Sequence, residues 1–360
     1  MACTEPGPAF TSMGPSITSV SNTDAAETSS SGWRPDSTSS GTSGGAAVSS
    51  TGVAEETNTG AVPPDLPSFD TEGTIGCQKI DVLFVVDDTG DLSSGLDQTL
   101  AIKSAKRVTD SANELLAVLQ AQQFDYDLQV MVVKGDEHWE GKSKQCCEPG
   151  EFCGQEAPYP ACNGVPIKDL TLCDSTLGAG VVYPVGFMAS NVKCPMSEGR
   201  RYIGAGDDLA SLFDCVIKVG RTGGDQDIPG AMLGAVSPEL AGSGGCNDGF
   251  LRRDAMLLVV LLSEGLEDNT PGAAEAWAAE LVAAKGGDAG AVVVAGVLRT
   301  VDVADDGHCY NASNDQLRKM VEMMPAHVLG SICAPDLGVY LAGAIDVINT
   351  ACTNYVPPQG

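Results

Sequence analysis

The chain has 360 residues and a net charge of −28, from 20 basic and 48 acidic side chains. That balance opposes nucleic-acid binding, which rests on clustered Lys and Arg, and docking on an anionic membrane face; it favours solubility and attracts cations. No apolar run approaches the ~20 residues of a membrane-spanning helix.

Residues 1–76 are dominated by Ser, Thr, Gly, Ala and Pro. Such a segment cannot bury enough surface to offset its ordering entropy, so it is read as a disordered tether. One domain is expected over 77–356. It opens with KIDVLFVVDDTGD, Lys79 to Asp91. Ile80 to Val86 is a nearly continuous, β-branched apolar run, as in a strand covered on both faces. Asp87, Thr89 and Asp91 follow at alternate positions. Leu92 to Gln123 has helical periodicity, and Tyr126 to Val133 reads as a second strand.

Residues 135–205 break the pattern. They are rich in Gly and Pro and hold Cys146, Cys147, Cys153, Cys162, Cys173 and Cys194, which suggests a disulfide-stapled insertion. Helical periodicity returns over Asp207–Val219 and Ile228–Val236, the latter opened by Asp227 and Pro229. Ala255–Leu262 and Ala291–Leu298 are buried strands, and Gly272–Ala284 is an Ala-rich helix. Helix Asn314–Met324, strand Ala326–Ile332 and helix Leu337–Ala351 complete the chain. Alternating β and α segments with unbroken apolar strands predict an α/β fold with a doubly wound, mainly parallel, Rossmann-like sheet. Ligands bind at the carboxyl ends of such strands.

Of 13 cysteines, all but Cys3 lie between Cys77 and Cys352. An even count of 12 with no CxxC pair and only three His points to disulfides rather than zinc, hence to an oxidising, extracytoplasmic compartment. The alternative is 12 free thiols inside a cell.

Four segments, in order, resemble the von Willebrand factor type A domain family: KIDVLFVVDDTGD, DLASLFDCVIKVGRTGGDQDIPGAMLGAV, CNDGFLRRDAMLLVVLLSEGLED and SICAPDLGVYLAGAIDVI. More narrowly, they are similar to secreted and lipoprotein members from myxobacteria and their relatives. The family carries a metal-ion-dependent adhesion site on top of the sheet. Its pattern is Asp-x-Ser-x-Ser after the first strand, a Thr in a later loop and an Asp ending the fourth strand. The resemblance implies Asp87, Thr89, Asp91, Thr222 (in GRTGGD) and Glu264 (in LLSEG) as metal ligands. Each offers oxygen, but Thr89, Asp91 and Glu264 depart from the pattern.

Those departures add a third carboxylate near the ion, with Asp88, Asp225, Glu267 and Asp268 on the rim. Hard cations take oxygen ligands, at about 2.0–2.1 Å for Mg²⁺ and 2.3–2.6 Å for Ca²⁺. Extra carboxylate neutralises the ion, repels an acidic ligand and favours the larger Ca²⁺ over Mg²⁺. Two readings stand side by side: an altered divalent-metal site, or a degenerate one whose fold binds partners through its loops.

The resemblance also implies that Cys77 and Cys352 pair where the domain termini meet, opposite the metal site. Cys309 and Cys333 are expected to bridge across the top, and Cys215 and Cys246 to tie the GRTGGD loop between them. The six insertion cysteines are then left to one another, with 15 pairings open. Cys3, before a Ser/Thr-rich stretch, is similar to the lipidated N-terminal Cys of bacterial lipoproteins, with its signal sequence upstream; an incidental Cys is the alternative.

Other signals are weak. Val132–Ser143 resembles a phosphate loop but has one residue too many between Gly135 and Gly141, and carries Asp136, Glu137 and Glu140 where phosphates would lie. His138, His308 and His327 lack spaced partners, Met320, Met323 and Met324 read as helix core, and there is no GxSxG elbow. The expected function is a non-enzymatic, cell-surface or secreted binding protein. Its partner would be a protein or surface polymer, and it would touch a membrane only through Cys3. An extracellular enzyme with its activity in the insertion and an inert structural envelope protein are the alternatives.

Overall fold

Five apolar runs become strands: β1 (Lys79–Val86), β2 (Asp127–Lys134), β3 (Met256–Ser263), β4 (Val292–Leu298) and β5 (His327–Ser331). The computed structural model describes residues 76–87, 98–121, 126–135, 171–184, 189–190, 192–220, 227–263, 272–299, 315–332, 334 and 337–358. The chain divides at Leu66/Pro67 into two units, and everything described belongs to the second. The expected tether and Cys3 lie outside the described residues.

All four strand pairings are parallel, in the order β2-β1-β3-β4-β5. Parallel neighbours are joined by crossovers, which place helices on both faces. Helices α1 (Gln98–Ala121), α2 (Leu209–Val216) and α7 (Gly338–Asn354) pack on the face formed by Ile80, Val82, Phe84, Leu258 and Val260. Helices α3 (Ile228–Val236), α5 (Ala274–Ala284) and α6 (Asp315–Met323) pack on the face formed by Leu83, Val85, Val259 and Leu261. A single turn, α4 (Pro238–Ala241), follows α3. With both faces covered, every residue of β3 and β4 is buried.

The helix starts follow capping chemistry. Asp227 accepts from Gly230 N–H at 2.8 Å, with Pro229 in the first turn of α3. Helix α2 begins two residues later than its periodicity suggests, capped by Asp208. Asp207 is used elsewhere: it accepts from the N–H groups of Ser197 (3.1 Å) and Gly204 (2.9 Å) and pairs with Arg200 at 3.0 Å. Helix α7 runs on to Asn354 and so carries Cys352.

Residues 136–170, half of the expected insertion, lie outside the described residues. The later part is built onto the sheet. Val130 and Ile203 exchange both backbone bonds, at 2.9 and 2.8 Å, in an antiparallel bridge, and Val181 N–H donates to Val132 O at 2.8 Å. These contacts cover the open edge of β2, where unpaired backbone would invite another chain. Gly178, at φ +83°, lies so close to α3 that a Cβ would meet Ala235 N at 2.6 Å. Buried Asn247 fastens the segment: its amide nitrogen donates to Gly178 O and Ala235 O, and its oxygen accepts from Gly180 N–H. Arg201 donates to Gly180 O and pairs with buried Asp174 at 2.6 Å.

Three disulfides are described, and they fit an oxidising environment. Cys77 is bonded to Cys352, joining the start of β1 to the end of α7 (Cα–Cα 4.8 Å). Cys173 is bonded to Cys246 (5.6 Å) and Cys194 to Cys215 (5.9 Å). The expected Cys215–Cys246 bridge does not form, nor do the six insertion cysteines pair only among themselves. Cys215 lies in α2, against the α1–α7 face. Cys246 follows α3 and α4 and precedes Phe250, on the opposite face. A disulfide needs Cα atoms within about 7 Å, and the sheet stands between these two. Each therefore takes a partner from the 171–205 segment as it passes along its own face. Cys309 and Cys333 lie outside the described residues. Among the described residues, no helix is long and apolar enough to cross a membrane.

In the chain-entropy account, a bridge spanning 275 residues contributes about 5–6 kcal/mol and one spanning 21 about 3. The C77S/C352S variant is therefore expected to lower the urea midpoint more than C194S/C215S. Equal or reversed losses would show that native strain or residual unfolded structure decides instead. Peptide mapping of the oxidised protein should recover Cys173–Cys246 and Cys194–Cys215.

Candidate functional site

From β1 the chain crosses to β2 on one side, and β3 then enters on the other side of β1. The strand order thus reverses between β1 and β3, and in open parallel sheets the crevice at that reversal, outside the carboxyl ends, is where ligands bind. Among the described residues, two side chains stand there. Asp87 follows β1 directly, and Ser263 ends β3. Val86 is in register with Leu262, and Asp87 N–H donates to Leu262 O at 2.9 Å. The next residues, Asp87 and Ser263, are therefore neighbours, and the Ser263 hydroxyl donates to Asp87 Oδ2 at 3.2 Å. Ser263 is fully buried and Asp87 half-buried.

The surroundings suit a carboxylate. Gly135 N–H donates to Val86 O, and Gly135 O accepts from Asp227 N–H at 2.7 Å. The start of α3 is thereby fastened to the ends of β1 and β2, and α3 packs against both strands. A helix N-terminus carries partial positive charge, which favours an anion nearby. Lys134, buried at the end of β2, adds a cation at the same end of the sheet.

Of the five residues expected to hold a metal, Asp87 is placed at the crevice. Thr89, Asp91, Thr222 and Glu264 lie outside the described residues, as do Asp88, Asp225, Glu267 and Asp268 on the expected rim. Ser263 belongs to none of the family positions above, although a lone hydroxyl closing an otherwise apolar run, MLLVVLLS, is a legible signal. The Asp87 carboxylate and Ser263 hydroxyl are hard oxygen donors of the type that Mg²⁺ and Ca²⁺ take. Two donors do not complete a site. Among the described residues, no group of three or more His, Cys, Asp or Glu could hold a metal ion.

The amino end of the sheet holds a different arrangement. Asp81, inside β1, is fully buried. Arg252 donates to it from Nε and from its backbone N–H, both at 2.7 Å. The same guanidinium reaches Ile80 O, Asp127 O and the Asp127 carboxylate. Lys285 donates to Arg252 O at 2.5 Å, and Lys79 pairs with Asp254 at 2.5 Å. Burial pushes the Asp81 carboxyl up from 3.8 to about 6, against the lowering effect of Arg252 and Lys285. Burial also lowers Lys285 and, with the nearby carboxylates, pushes Tyr355 up to about 12. Beside this network an open groove of about 690 Å³ runs between α7 and the start of β5, lined by Asp288, Pro325, His327, Asp346 and Tyr355. His327 Nδ1 lies 2.6 Å from Met324 O.

The chain matches no family model and no curated protein.

The Asp81 network generates a pH prediction. Its folded pKa, about 6, lies above the ordinary 3.8, so between these values the folded state keeps a proton that the unfolded chain has released. Its contribution to stability therefore falls as pH rises through that window and is constant above it. Urea midpoints of wild type minus D81N should decline from about pH 4 to about pH 6. A flat difference would mean that Arg252 holds the carboxylate ionised throughout. Arg252→Met, which leaves Asp81 buried without its cation, should cost about 3–5 kcal/mol at pH 7.

Proposed function

We propose that this chain is a non-enzymatic binding protein of the cell envelope or exterior, built on one von Willebrand factor A-like domain with an altered metal-ion-dependent adhesion site. The observation that carries the reading is Asp87, hydrogen-bonded to Ser263 at the strand-order reversal between β1 and β3. The family resemblance puts the first metal-binding Asp at that residue. The five-stranded parallel sheet supports the fold class behind it. The order β2-β1-β3-β4-β5 is common among doubly wound proteins, so it supports the class more strongly than the family.

In this reading Asp87 holds a divalent cation together with Thr89, Asp91, Thr222 and Glu264. The ion would supply a positive centre for an oxygen-bearing group of a protein or surface polymer. Asp91 in place of a hydroxyl raises the negative charge around it, which favours Ca²⁺ over Mg²⁺. The disulfides support an extracytoplasmic location. Within it, lipid attachment at Cys3 or secretion follows from the lipoprotein-like N-terminal sequence alone. An enzyme is the weaker reading. His327, the one histidine among the described residues, has its Nδ1 against a backbone carbonyl, and no nucleophile–base pair is evident in the sequence.

Calorimetric titration of the oxidised protein with Ca²⁺, Mg²⁺ and Mn²⁺ tests the reading. Saturable binding is expected, strongest for Ca²⁺, and D87A should abolish it. No heat in the wild type, or the same isotherm in D87A, removes the metal-dependent version and leaves a sheet whose loops bind without an ion.

A further inference from the structure

Arg299 is the first residue after β4, and its backbone N–H donates to Ser263 O at 3.0 Å. It therefore sits at the same end of the sheet as the crevice. The residue is only 5 % exposed. Its Nε and Nη2 are buried, and neither finds an acceptor among the described residues. The contrast within the molecule is direct. Arg201 spends its donors on Asp174 and Gly180 O, and Arg252 on Asp81, Asp127 and Ile80 O. Both are satisfied by the fold itself.

Nε and Nη2 form one edge of the guanidinium. Their N–H groups run parallel at the spacing of the two oxygens of a carboxylate. Strand alternation puts Arg299 on the side of Val293, Ala295 and Val297, the face on which α7 packs. Asp87 alternates with Leu83 and Val85 on the other face, so it does not occupy this edge. The carboxyl end is also where α7 begins. Its N-cap, Leu337, belongs to the same apolar cluster as Val297 and provides no side-chain cap, and its first turn holds no acidic residue. A buried cation with two donors that no described residue accepts and the N-terminus of a 17-residue helix, without a side-chain cap among the described residues, thus share one end and one face of the sheet. Both favour an anion.

We propose that the Nε–Nη2 edge of Arg299, at the carboxyl end of β4 on the face where α7 begins, binds the carboxylate group of a ligand. The recognition is planar and bidentate. It selects a carboxylate over a spherical anion such as chloride, and it needs no metal.

The test uses the full-length oxidised protein, labelled with ¹⁵N at arginine Nε, in metal-free buffer. Sodium acetate is titrated against sodium chloride at constant ionic strength, and the Arg299 signal is assigned by its loss in R299K. A saturable shift of the Arg299 Nε–H resonance with acetate but not chloride is expected. Acetate should also raise the thermal midpoint of the wild type, with an apparent affinity weakened about tenfold or more in R299K, which keeps the charge but loses the paired donors. Identical responses to acetate and chloride would overturn the proposal. So would a resonance that ignores acetate in the wild type but responds in E264Q, because the chain's own Glu264, the residue after Ser263, would then fill the edge. Because no metal is present, failure here leaves the cation reading of Asp87 standing, and loss of that reading leaves this one untouched.

Discussion

Because β1 has a parallel neighbour on each side, the chain must return to the amino end of the sheet before every strand it adds. The return paths cannot lie in the sheet, so they become helices over both faces. Each strand is then buried above and below, and each buried Leu, Val or Ile contributes about 1.5–3 kcal/mol relative to exposure. All five carboxyl ends open at one end. The first crossover goes one way from β1 and the later ones go the other, so the connections part there and leave a crevice. Asp87 and Ser263 lie at its two lips because of topology, before any particular ligand is considered.

The two ends of the sheet treat charge differently. At the amino end, Asp81 is buried inside β1, yet Arg252, Asp127 and Lys285 form a connected set around it, and Lys79 pairs with Asp254 at the same end. The Cys77–Cys352 bond closes the same end, reinforced by the Cys77 N–H to Cys352 O hydrogen bond. A buried ion pair adds little net stability compared with an apolar substitute but makes the loss of one partner costly. The network therefore specifies how the segment before β3 docks under β1. At the carboxyl end, Asp87 has a neutral hydroxyl beside it, and Arg299 has two donors without acceptors among the described residues. The amino end is closed by bonds the chain makes to itself, whereas at the carboxyl end Arg299 keeps two donors that no described residue accepts.

Much of the frame was legible in the sequence because its signals are local. Unbroken apolar runs placed β1, β3 and β4 to within a residue or so, and Asp227 with Pro229 marked the start of α3. Other features depend on residues far apart in sequence. Asp81 sits within an apolar run that says nothing of Arg252, 171 positions away. The 171–205 segment looks like a loop from its Gly and Pro content. Gly178 is in fact needed for close approach to α3, and Gly180 for packing against Met131 and Arg201. Arg299 carries no motif: a single basic residue after a strand is ordinarily a solvated one, and only the burial imposed by its neighbours makes it unusual. At the candidate site, the sequence marks Asp87 as the carboxylate that follows β1, whereas Ser263 stands beside the more conspicuous Glu264.

The cysteine pairing shows why proximity along the chain was a poor guide. Cys215 and Cys246 flank one loop, yet α2, which holds Cys215, and α3, which precedes Cys246, lie on opposite faces of the sheet. A covalent bond short enough to be a disulfide cannot cross that barrier. What can reach both faces is a segment that wraps the β2 edge, and residues 171–205 do so, meeting Cys246 with Cys173 and Cys215 with Cys194. The same wrapping supplies the antiparallel bridge at Val130 and Ile203. Edge protection and disulfide pairing are therefore one structural solution. The segment that keeps the sheet from pairing with another chain is held in place from both sides by the bonds that an oxidising compartment permits.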